Sequence, residues 1–231
     1  MKLHRFILPF TISGEQVEIT DPEVVGQIRN VLKLKAGEQV LLCDGEMNEV
    51  IAEILAIGKE VIKVKVIKEQ RNENEPLRKV MLYCAILKRE NFELVVQKAT
   101  EIGVAEIVPV ITRRTVKLAL KQERLEKIIK EAAEQSGRGV VPKLHEPIEF
   151  EKAVEQVKDK QNILFDSSGS IPASSSQLPA SIAIWIGPEG GFDETEIAAA
   201  KTAGFHIATL GKLTLRAETA AIVASYLAVN G

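Results

Sequence analysis

Aromatic residues are scarce in this chain, and it carries no excess of positive charge. Phe, Trp and Tyr make up 4% of the 231 residues, and the formal net charge is −2. A protein that stacks single-stranded bases along a groove usually has more aromatic side chains, and a protein held to nucleic acid mainly through phosphates is usually basic. Any contact with nucleic acid must therefore come from a local patch.

Cysteine is almost absent, and no segment is suited to export or to a membrane. Cys43 and Cys84 lie in apolar stretches without CxxC spacing, which indicates buried free thiols in a reducing cytoplasm. The charged start, MKLHRFILPF, is unlike a signal peptide, and no apolar run approaches the roughly 20 residues that cross a bilayer. We expect a cytoplasmic protein without a membrane segment.

Residues that would support metal or nucleophilic chemistry are also missing. His4, His145 and His206 are scattered without the spacing of a metal site, and two cysteines do not complete one. No GxSxG motif is present, and no cysteine has local support from a histidine. The sequence therefore predicts no metal and no hydrolase of the nucleophilic type.

The first part of the chain, residues 1–70, has the pattern of a small β-barrel. Short apolar and alternating runs such as KVKVI are separated by AG, DG and IG turns. Apolar residues on one face predict one short helix over 22–32. The polar stretch after it contains Pro76 and has no periodicity, so we assign residues 71–79 to a linker.

The remainder, residues 80–231, alternates strands and helices, which is typical of an α/β domain with a mostly parallel sheet. Apolar runs predict strands at 80–87, 106–111, 161–166, 181–187 and 205–211. Spacings of three and four predict helices at 90–103 and 121–137. Asp193 and Glu196 form an Asp-x-x-Glu start that resembles a capping box and predicts a helix at 193–204. A last helix is predicted at 218–229. A Ser/Pro-rich loop is predicted over 167–179.

One junction between a strand and a helix, IWIGPEGGFDETE, is unusually rich in glycine. It lacks the Gly-Lys-Ser/Thr ending of a P-loop and the GxGxxG of a dinucleotide site. Glu189 inside it would repel phosphate, which favours a ligand such as an adenosine held by backbone groups. A plain tight turn joining strand to helix remains the alternative.

Two further segments carry candidate functional residues. In TLGKLTLRAETAAI, Arg216 and Glu218 stand where an apolar helix begins. The negative charge of Glu218 is favourable at the positive end of the helix dipole, whereas a cation is disfavoured at that end. Arg216 is therefore the stronger functional candidate. In EAAEQSGR, Arg138 follows a helix that ends at Gly137, and a glycine cap with the arginine at the negative end of the helix dipole is the favoured explanation of this pattern taken alone.

Taken together, these segments resemble the family of ribosomal small-subunit methyltransferase E, within the SPOUT superfamily. The resemblance is carried, in order along most of the chain, by HRFIL, VLKLKAGEQVLLCDG, ILKRENFELVVQKATEIGVAEIVPV, IIKEAAEQSGRGVVPKL, IGPEGGF and LG…LRAETA. The sequence differs from the family's pattern at several positions. Leu213 and Thr214 stand where Arg and Ile are usual. Ala217 stands where Thr is usual, and Lys33 where Arg is common. None of these departures falls in GPEGG, Arg216 or Glu218.

The resemblance implies an α/β chain in which a SPOUT domain with a trefoil knot follows a small PUA-like β-barrel that helps to hold RNA. It implies a homodimer that binds S-adenosyl-L-methionine. The expected reaction is methylation of N3 of uridine 1498 in 16S ribosomal RNA. The expected partner is this RNA within the assembled small ribosomal subunit.

The resemblance also assigns roles to individual residues. Arg216 is expected to stabilise the uracil anion, and Glu218 to position Arg216 or to accept the N3 proton. The expected cofactor-binding residues are Leu164, Phe165, Ile186, Gly187, Pro188, Glu189, Gly190, Gly191, Leu210, Gly211, Leu215 and Thr219. The expected RNA contacts are Arg5, Arg29, Lys33, Lys35, Lys88, Arg113, Arg114 and Arg138.

Three other functions compete with this one. Another SPOUT enzyme, acting on a ribose 2′-hydroxyl or on transfer RNA, would differ in the nucleoside that it methylates. A non-catalytic RNA-binding or assembly factor would fail to bind S-adenosylmethionine. An enzyme acting on a small nucleotide is disfavoured because the phosphate-binding loops are missing.

Overall fold

The computed structural model describes residues 3–12, 14–116, 119–157, 161–170 and 179–231. Its contacts divide into two compact units. The first holds Met1–Glu75 together with Ala133–Val141, and the second holds Pro76–Ala132 and Pro142–Gly231. The sequence placed residues 133–141 in the C-terminal domain. They group with the first unit because Ala133 and Val141 pack against Ile7 and Cys43 there.

The first unit is built on a five-stranded sheet in the order β1-β3-β4-β5-β2. Its strands are β1 (His4–Ile7), β2 (Gln16–Ile19), β3 (Gln39–Cys43), β4 (Asn48–Ile57) and β5 (Ile62–Arg71). The KVKV alternation acts as predicted, because Ile62 and Val64 are buried while Lys63 and Lys65 are exposed. The buried side chains of these strands form one apolar core.

A helix was predicted over 22–32, and the structure has two short helical pieces there. Helix α1 spans Pro22–Gly26, and its first turn is capped by the Asp21 carboxylate, which accepts from the Glu23 amide at 2.9 Å. The chain continues as a π-helical turn over Gln27–Val31. The periodicity of Val24, Val25 and Ile28 does not distinguish the two geometries, since all three are buried.

The second unit contains a parallel sheet in the order β12-β10-β11-β6-β7-β8, with β9 also paired to β7. Its strands are β6 (Lys79–Ala85), β7 (Glu106–Ile111), β8 (Lys143–Leu144), β9 (Ile148–Glu149), β10 (Asn162–Ser170), β11 (Ser181–Ile186) and β12 (His206–Ala208). Its helices are α2 (Arg89–Ile102), α3 (Gln122–Ser136, which ends in the first unit), α4 (Phe150–Gln156), α5 (Glu194–Thr202) and α6 (Ala217–Asn230).

The predicted strands and helices of this unit are confirmed, with ends shifted by a few residues. Strand β10 runs on to Ser170, so the start of the predicted Ser/Pro loop is strand, and the rest of that loop, 171–178, lies outside the described residues. Helix α4 was not predicted, because seven residues give too little periodicity. Within the described ranges, no helix is long and apolar enough to cross a bilayer.

Both faces of the parallel sheet are covered. On one face Trp185 stacks on Tyr83 with ring centroids 4.1 Å apart and packs with Phe150 of α4 and Ala200 of α5. The alternate residues of β6 and β11 face the other way, where α6 packs on both strands and on α2. Cys84 is buried and unpaired, like Cys43 in the first unit. Burial raises the pKa of the Cys43 thiol to about 12, as expected for an inert buried thiol.

Candidate active site at the carboxyl edge of the parallel sheet

The loops that carry the sequence motifs leave the parallel sheet at the same edge. Phe165 of β10 is in register with Ile186 of β11 and Ala208 of β12, and Ile186 is in register with Cys84 of β6. Because these strands are parallel, the segments that follow them leave from the same edge. The strand order changes direction between β11 and β6, and such a switch point is where open α/β sheets bind ligands.

The glycine-rich segment 187–193 leaves β11 at that switch point. Its turn is closed by the Gly191 amide, which donates to the Pro188 carbonyl at 2.9 Å. Gly191 has φ +68°, a conformation that side chains other than glycine adopt at a cost. Ile186, Gly187 and Pro188 are buried, and Glu189 and Gly190 are exposed. The exposed half of this loop therefore offers its main chain to a ligand.

The loop then enters helix α5 through a capping box that the sequence predicted. The Asp193 carboxylate accepts from the Thr195 amide at 3.0 Å, and the Glu196 Oε2 accepts from the Asp193 amide at 2.8 Å. Glu189 is held by the segment that joins β6 to α2, since its Oε1 accepts from the Lys88 amide at 3.2 Å. These contacts fix both ends of the loop.

The second motif forms the segment between β12 and α6. Leu210, Gly211 and Leu215 are half-buried, and Thr219 in the first turn of α6 is exposed. Strand β10 returns to this region, because a Cβ at Gly169 would lie 2.5 Å from the Ala208 carbonyl carbon. The chain can pass so close to β12 only because position 169 has no side chain.

Arg216 and Glu218 lie at the start of α6 but do not form an ion pair among the described residues. Arg216 is the N-cap, with φ −65° and ψ 153°, and its side chain is exposed. Glu218 is 9% exposed, and its Oε2 is buried without a hydrogen-bond partner in the part of the chain that the structure describes. A buried carboxylate oxygen in this state can accept a hydrogen bond or a proton from a bound group.

The residues expected from β10 separate into two kinds. Leu164 is fully buried in the core formed with Trp185, so its side chain is structural. Phe165 is half-buried at the end of the parallel register. Asp166 was not among the expected site residues, but its Oδ2 lies 4.0 Å from the Cβ position of Gly191 and so close to the glycine-rich loop. The available signal was an acidic residue directly after the apolar stretch of β10, where its pairing with β11 ends.

The predicted RNA contacts fall into an exposed group and a buried pair. Six are exposed: Arg29, Lys33, Lys35, Lys88, Arg113 and Arg114. Arg138 is 5% exposed and bonds the Glu75 carboxylate, while Arg5, with a side chain 10% exposed, bonds Glu49 and the Arg138 carbonyl. Internal acceptors hold both guanidinium groups, so the structure gives Arg5 and Arg138 structural partners, and their contact with RNA stays a prediction.

No group of three or more His, Cys, Asp and Glu side chains within the described ranges is placed to hold a metal ion.

Comparisons with known proteins support the interpretation of these motifs. A family model described as an RNA methyltransferase domain matches residues 73–229, and one described as an RNA methyltransferase PUA domain matches residues 28–67. The chain is 32% identical over 234 residues to the ribosomal RNA small subunit methyltransferase E of Rickettsia conorii, covering 97% of this chain and 94% of that protein.

The chain belongs to the ribosomal RNA small subunit methyltransferase E family. Another member, from Mesomycoplasma hyopneumoniae, is 41% identical over 170 residues, which is 69% of this chain and 73% of that protein. The crystal structure of the Neisseria gonorrhoeae ribosomal RNA small subunit methyltransferase E bound to S-adenosyl methionine superposes with a TM-score of 0.89 at 30% identity, over 97% of this chain and 95% of that one. The family assignment predicted from the motifs is confirmed, and so are the α/β fold class and the PUA-like N-terminal part.

Proposed function

We propose that this protein transfers the methyl group of S-adenosylmethionine to N3 of uridine 1498 in 16S ribosomal RNA. The observation that carries the proposal is that the two motif loops, 187–193 and 209–216, leave the parallel sheet at the same edge, the first of them at the switch point. The membership of the chain in a family of small-subunit ribosomal RNA methyltransferases supports the class of reaction.

The cofactor site that we propose consists mainly of backbone. S-adenosylmethionine has hydrogen-bonding groups on its adenosine and methionine parts and no phosphate, and it supplies an electrophilic methyl group on a sulfonium. The exposed Glu189–Gly190 main chain and the half-buried Leu210 and Gly211 suit such a ligand.

The residues that we propose to act on the uracil are Arg216 and Glu218. Uracil N3 carries a proton and becomes a good nucleophile only when that proton is lost. The exposed Arg216 guanidinium is suited to stabilise the negative charge that develops on the uracil oxygens. Because Glu218 forms no ion pair with Arg216 in the described chain, we assign Glu218 to accepting the proton rather than to positioning Arg216.

We propose that the RNA is contacted by exposed cations of each unit. Arg29, Lys33 and Lys35 lie in and after the π-helical turn of the first unit, and Lys88 and Arg113 follow β6 and β7 of the second. The substrate is expected to be structured rRNA in the small subunit, in the cytoplasm, since the PUA-like part is superfluous for a single nucleotide. The target base must leave its stack to reach the sheet edge.

We propose a homodimer with α6 in its interface. Tyr226 and Leu227 on the outer side of α6 are 59% and 44% exposed, and Leu94 on α2, the helix that packs beside α6, is 38% exposed. Exposed apolar side chains on adjacent helices are typical of an interaction surface. We also propose that the chain is knotted, which its membership in this family of methyltransferases supports.

The proposal is tested by incubating the purified protein with methyl-labelled S-adenosylmethionine and either naked 16S rRNA or small subunits, followed by mass spectrometry of the nucleosides. Labelled N3-methyluridine is the expected product. A label on a ribose 2′-hydroxyl, or transfer to tRNA alone, would contradict the proposed reaction while keeping the methyltransferase class. Failure of the protein to bind S-adenosylmethionine would point to a non-catalytic RNA-binding role.

A further inference from the structure

The loop after β7, Thr112–Thr115, is fastened to the glycine-rich loop by Arg114. The Arg114 Nη1 donates to the Gly190 carbonyl at 2.8 Å, and its Nη2 lies 3.5 Å from the Asp193 Oδ2. The aliphatic part of the same side chain covers Gly190, where a Cβ would lie 3.5 Å from the Arg114 Cδ. One side chain thus touches the loop at its exposed glycine and at its helix cap.

The main chain that carries Arg114 is itself held in place. The Thr112 amide donates to the Thr115 Oγ1 at 3.0 Å, and the Thr115 amide donates to the Thr112 carbonyl at 3.1 Å, which closes a tight turn. The Arg113 amide donates to the Glu196 Oε1 at 2.9 Å. Glu196 is 2% exposed, and its other oxygen accepts from the Asp193 amide, so one buried carboxylate joins the two loops.

We propose that Arg114 is a positioning residue for the cofactor loop and that this role, rather than contact with RNA, is its main one. The inference rests on the function proposed above. Gly190 is exposed and has the largest conformational freedom of any residue type. A charge-assisted hydrogen bond from a guanidinium held by its own turn fixes the direction of the Gly190 carbonyl before the ligand arrives.

A group that orders a binding loop in advance affects affinity more than the chemical step. Without the two contacts of the Arg114 guanidinium, the free loop samples conformations that cannot bind the cofactor. The apparent affinity then falls in proportion to the fraction of molecules whose loop can still bind. For Arg114→Ala we expect S-adenosylmethionine to bind about 5- to 30-fold more weakly, the range of a lost hydrogen bond to a charged group. The KM for S-adenosylmethionine should rise while kcat at saturation stays near the wild-type value.

Arg113→Ala is the matched control for the binding experiment. Arg113 has the same charge on the same turn, but its side chain points to an exposed pairing with Glu151, 3.9 Å away. The variant keeps the main-chain amide that bonds Glu196. Both substitutions remove one positive charge, so a general electrostatic effect on ligand or RNA would appear in both, and a loop-positioning effect only in Arg114→Ala.

The test uses the full-length protein without RNA. Isothermal titration calorimetry with S-adenosylmethionine measures affinity, and hydrogen exchange of residues 187–193 in the cofactor-free protein measures loop order. We expect Arg114→Ala to bind more weakly and to exchange faster in that segment, Arg114→Lys to recover part of both, and Arg113→Ala to match wild type. Circular dichroism melting verifies that each variant is folded.

Two outcomes would overturn the inference. One is an Arg114→Ala variant with wild-type affinity for S-adenosylmethionine and wild-type hydrogen exchange in residues 187–193. If that variant also bound rRNA more weakly, Arg114 would be assigned to RNA contact instead. The other is an equal loss in Arg113→Ala, which would indicate charge rather than positioning. If wild-type protein itself fails to bind S-adenosylmethionine, the proposed function fails, while the exchange experiment still decides whether Arg114 orders the loop.

Discussion

Arg138 and Glu75 form an ion pair that is almost closed to solvent, with Nη2 and Oε2 2.8 Å apart and side chains 6% and 15% exposed. The Glu75 Oε1 also accepts from the Gly139 and Val140 amides at 2.9 and 3.1 Å. This carboxylate therefore fixes the segment 133–141 within the first unit. Arg138 of the motif EAAEQSGR therefore has a structural role in this unit.

We expect Arg138→Met to lower the free energy of unfolding by about 3 kcal/mol, because it leaves the Glu75 charge buried without its partner. Urea denaturation followed by circular dichroism measures the loss. The double variant Arg138→Met/Glu75→Gln should recover part of it, since no uncompensated charge remains. A loss below about 0.5 kcal/mol, the size expected for an exposed pair such as Lys63–Glu18, would show that the pair is not structural.

Stability should fall at acid pH through Glu49 and Glu75. Burial alone would raise both pKa values, but hydrogen bonds from Asn72, Gln70 and Arg5 to Glu49, and from Arg138 to Glu75, outweigh it and hold both below the ordinary 4.5. A carboxyl with a lowered folded-state pKa binds its proton more readily in the unfolded chain. Its contribution is therefore complete above pH 4.5 and is lost as the pH falls through the folded-state pKa.

Melting temperature measured between about pH 3 and pH 7 tests this dependence. The melting temperature of the wild-type protein should be constant near neutral pH and should fall below the ordinary carboxyl pKa. The Glu75→Gln variant, which cannot titrate at that position, should be less stable at neutral pH and show a shallower acid slope. Parallel curves for the two proteins would mean that Glu75 does not contribute to the acid sensitivity.

Arg216→Ala should lower kcat about 10²- to 10³-fold, the usual cost of removing a group that stabilises developing negative charge. The affinity for S-adenosylmethionine should stay within about twofold of wild type, because the exposed side chain is assigned to the uracil. Steady-state methylation of small subunits and calorimetry give the two quantities. A folded Arg216→Ala protein that methylates at the wild-type rate would remove Arg216 from the mechanism.

Glu218→Gln separates the acceptor role from a structural one. Loss of a proton acceptor should lower the rate about 10²-fold or more near neutrality, and the rate should recover at alkaline pH as solvent removes the N3 proton. A variant whose rate is lowered by the same factor at every pH would instead indicate that Glu218 supports the fold of the site.

Gly191→Ala should weaken S-adenosylmethionine binding, because φ +68° at this position costs a side chain about 1–2 kcal/mol. Gly204→Ala is the matched control, since Gly204 has φ +83°, no atom within 4 Å of its Cβ position and a place after α5, outside the loop. Both variants should lose similar stability in denaturation experiments. Equal cofactor affinity in the two would contradict the assignment of the glycine-rich loop to the cofactor.

Local patterns in the sequence predicted the elements that have enough residues to show a period. Strands β6, β7 and β11 are continuous apolar runs, and α2 and α3 carry clear helical spacing. Helix α5 is marked by its capping box instead. Helix α4 is too short to show a period. Strand β10 continues to Ser170 through polar residues because its partner is the backbone of β12.

The sequence predicted those site residues that their immediate neighbours identify. It did not predict contacts between residues that are far apart in the chain. The glycine-rich junction and Arg216 stand out by residue type alone. Arg138 has a partner 63 positions away in Glu75, and Arg114 has one 76 positions away in Gly190. No pattern within a window of sequence distinguishes an arginine that meets RNA from one that bonds a distant carboxylate or carbonyl.

The central claim is tested most directly by nucleoside mass spectrometry of 16S rRNA, mapped to position, from cells with and without this gene. We predict that N3-methyluridine at position 1498 is lost without the gene and restored when purified wild-type protein and S-adenosylmethionine are added to the small subunits. An unchanged level of N3-methyluridine at that position would contradict the account and direct the search to another RNA.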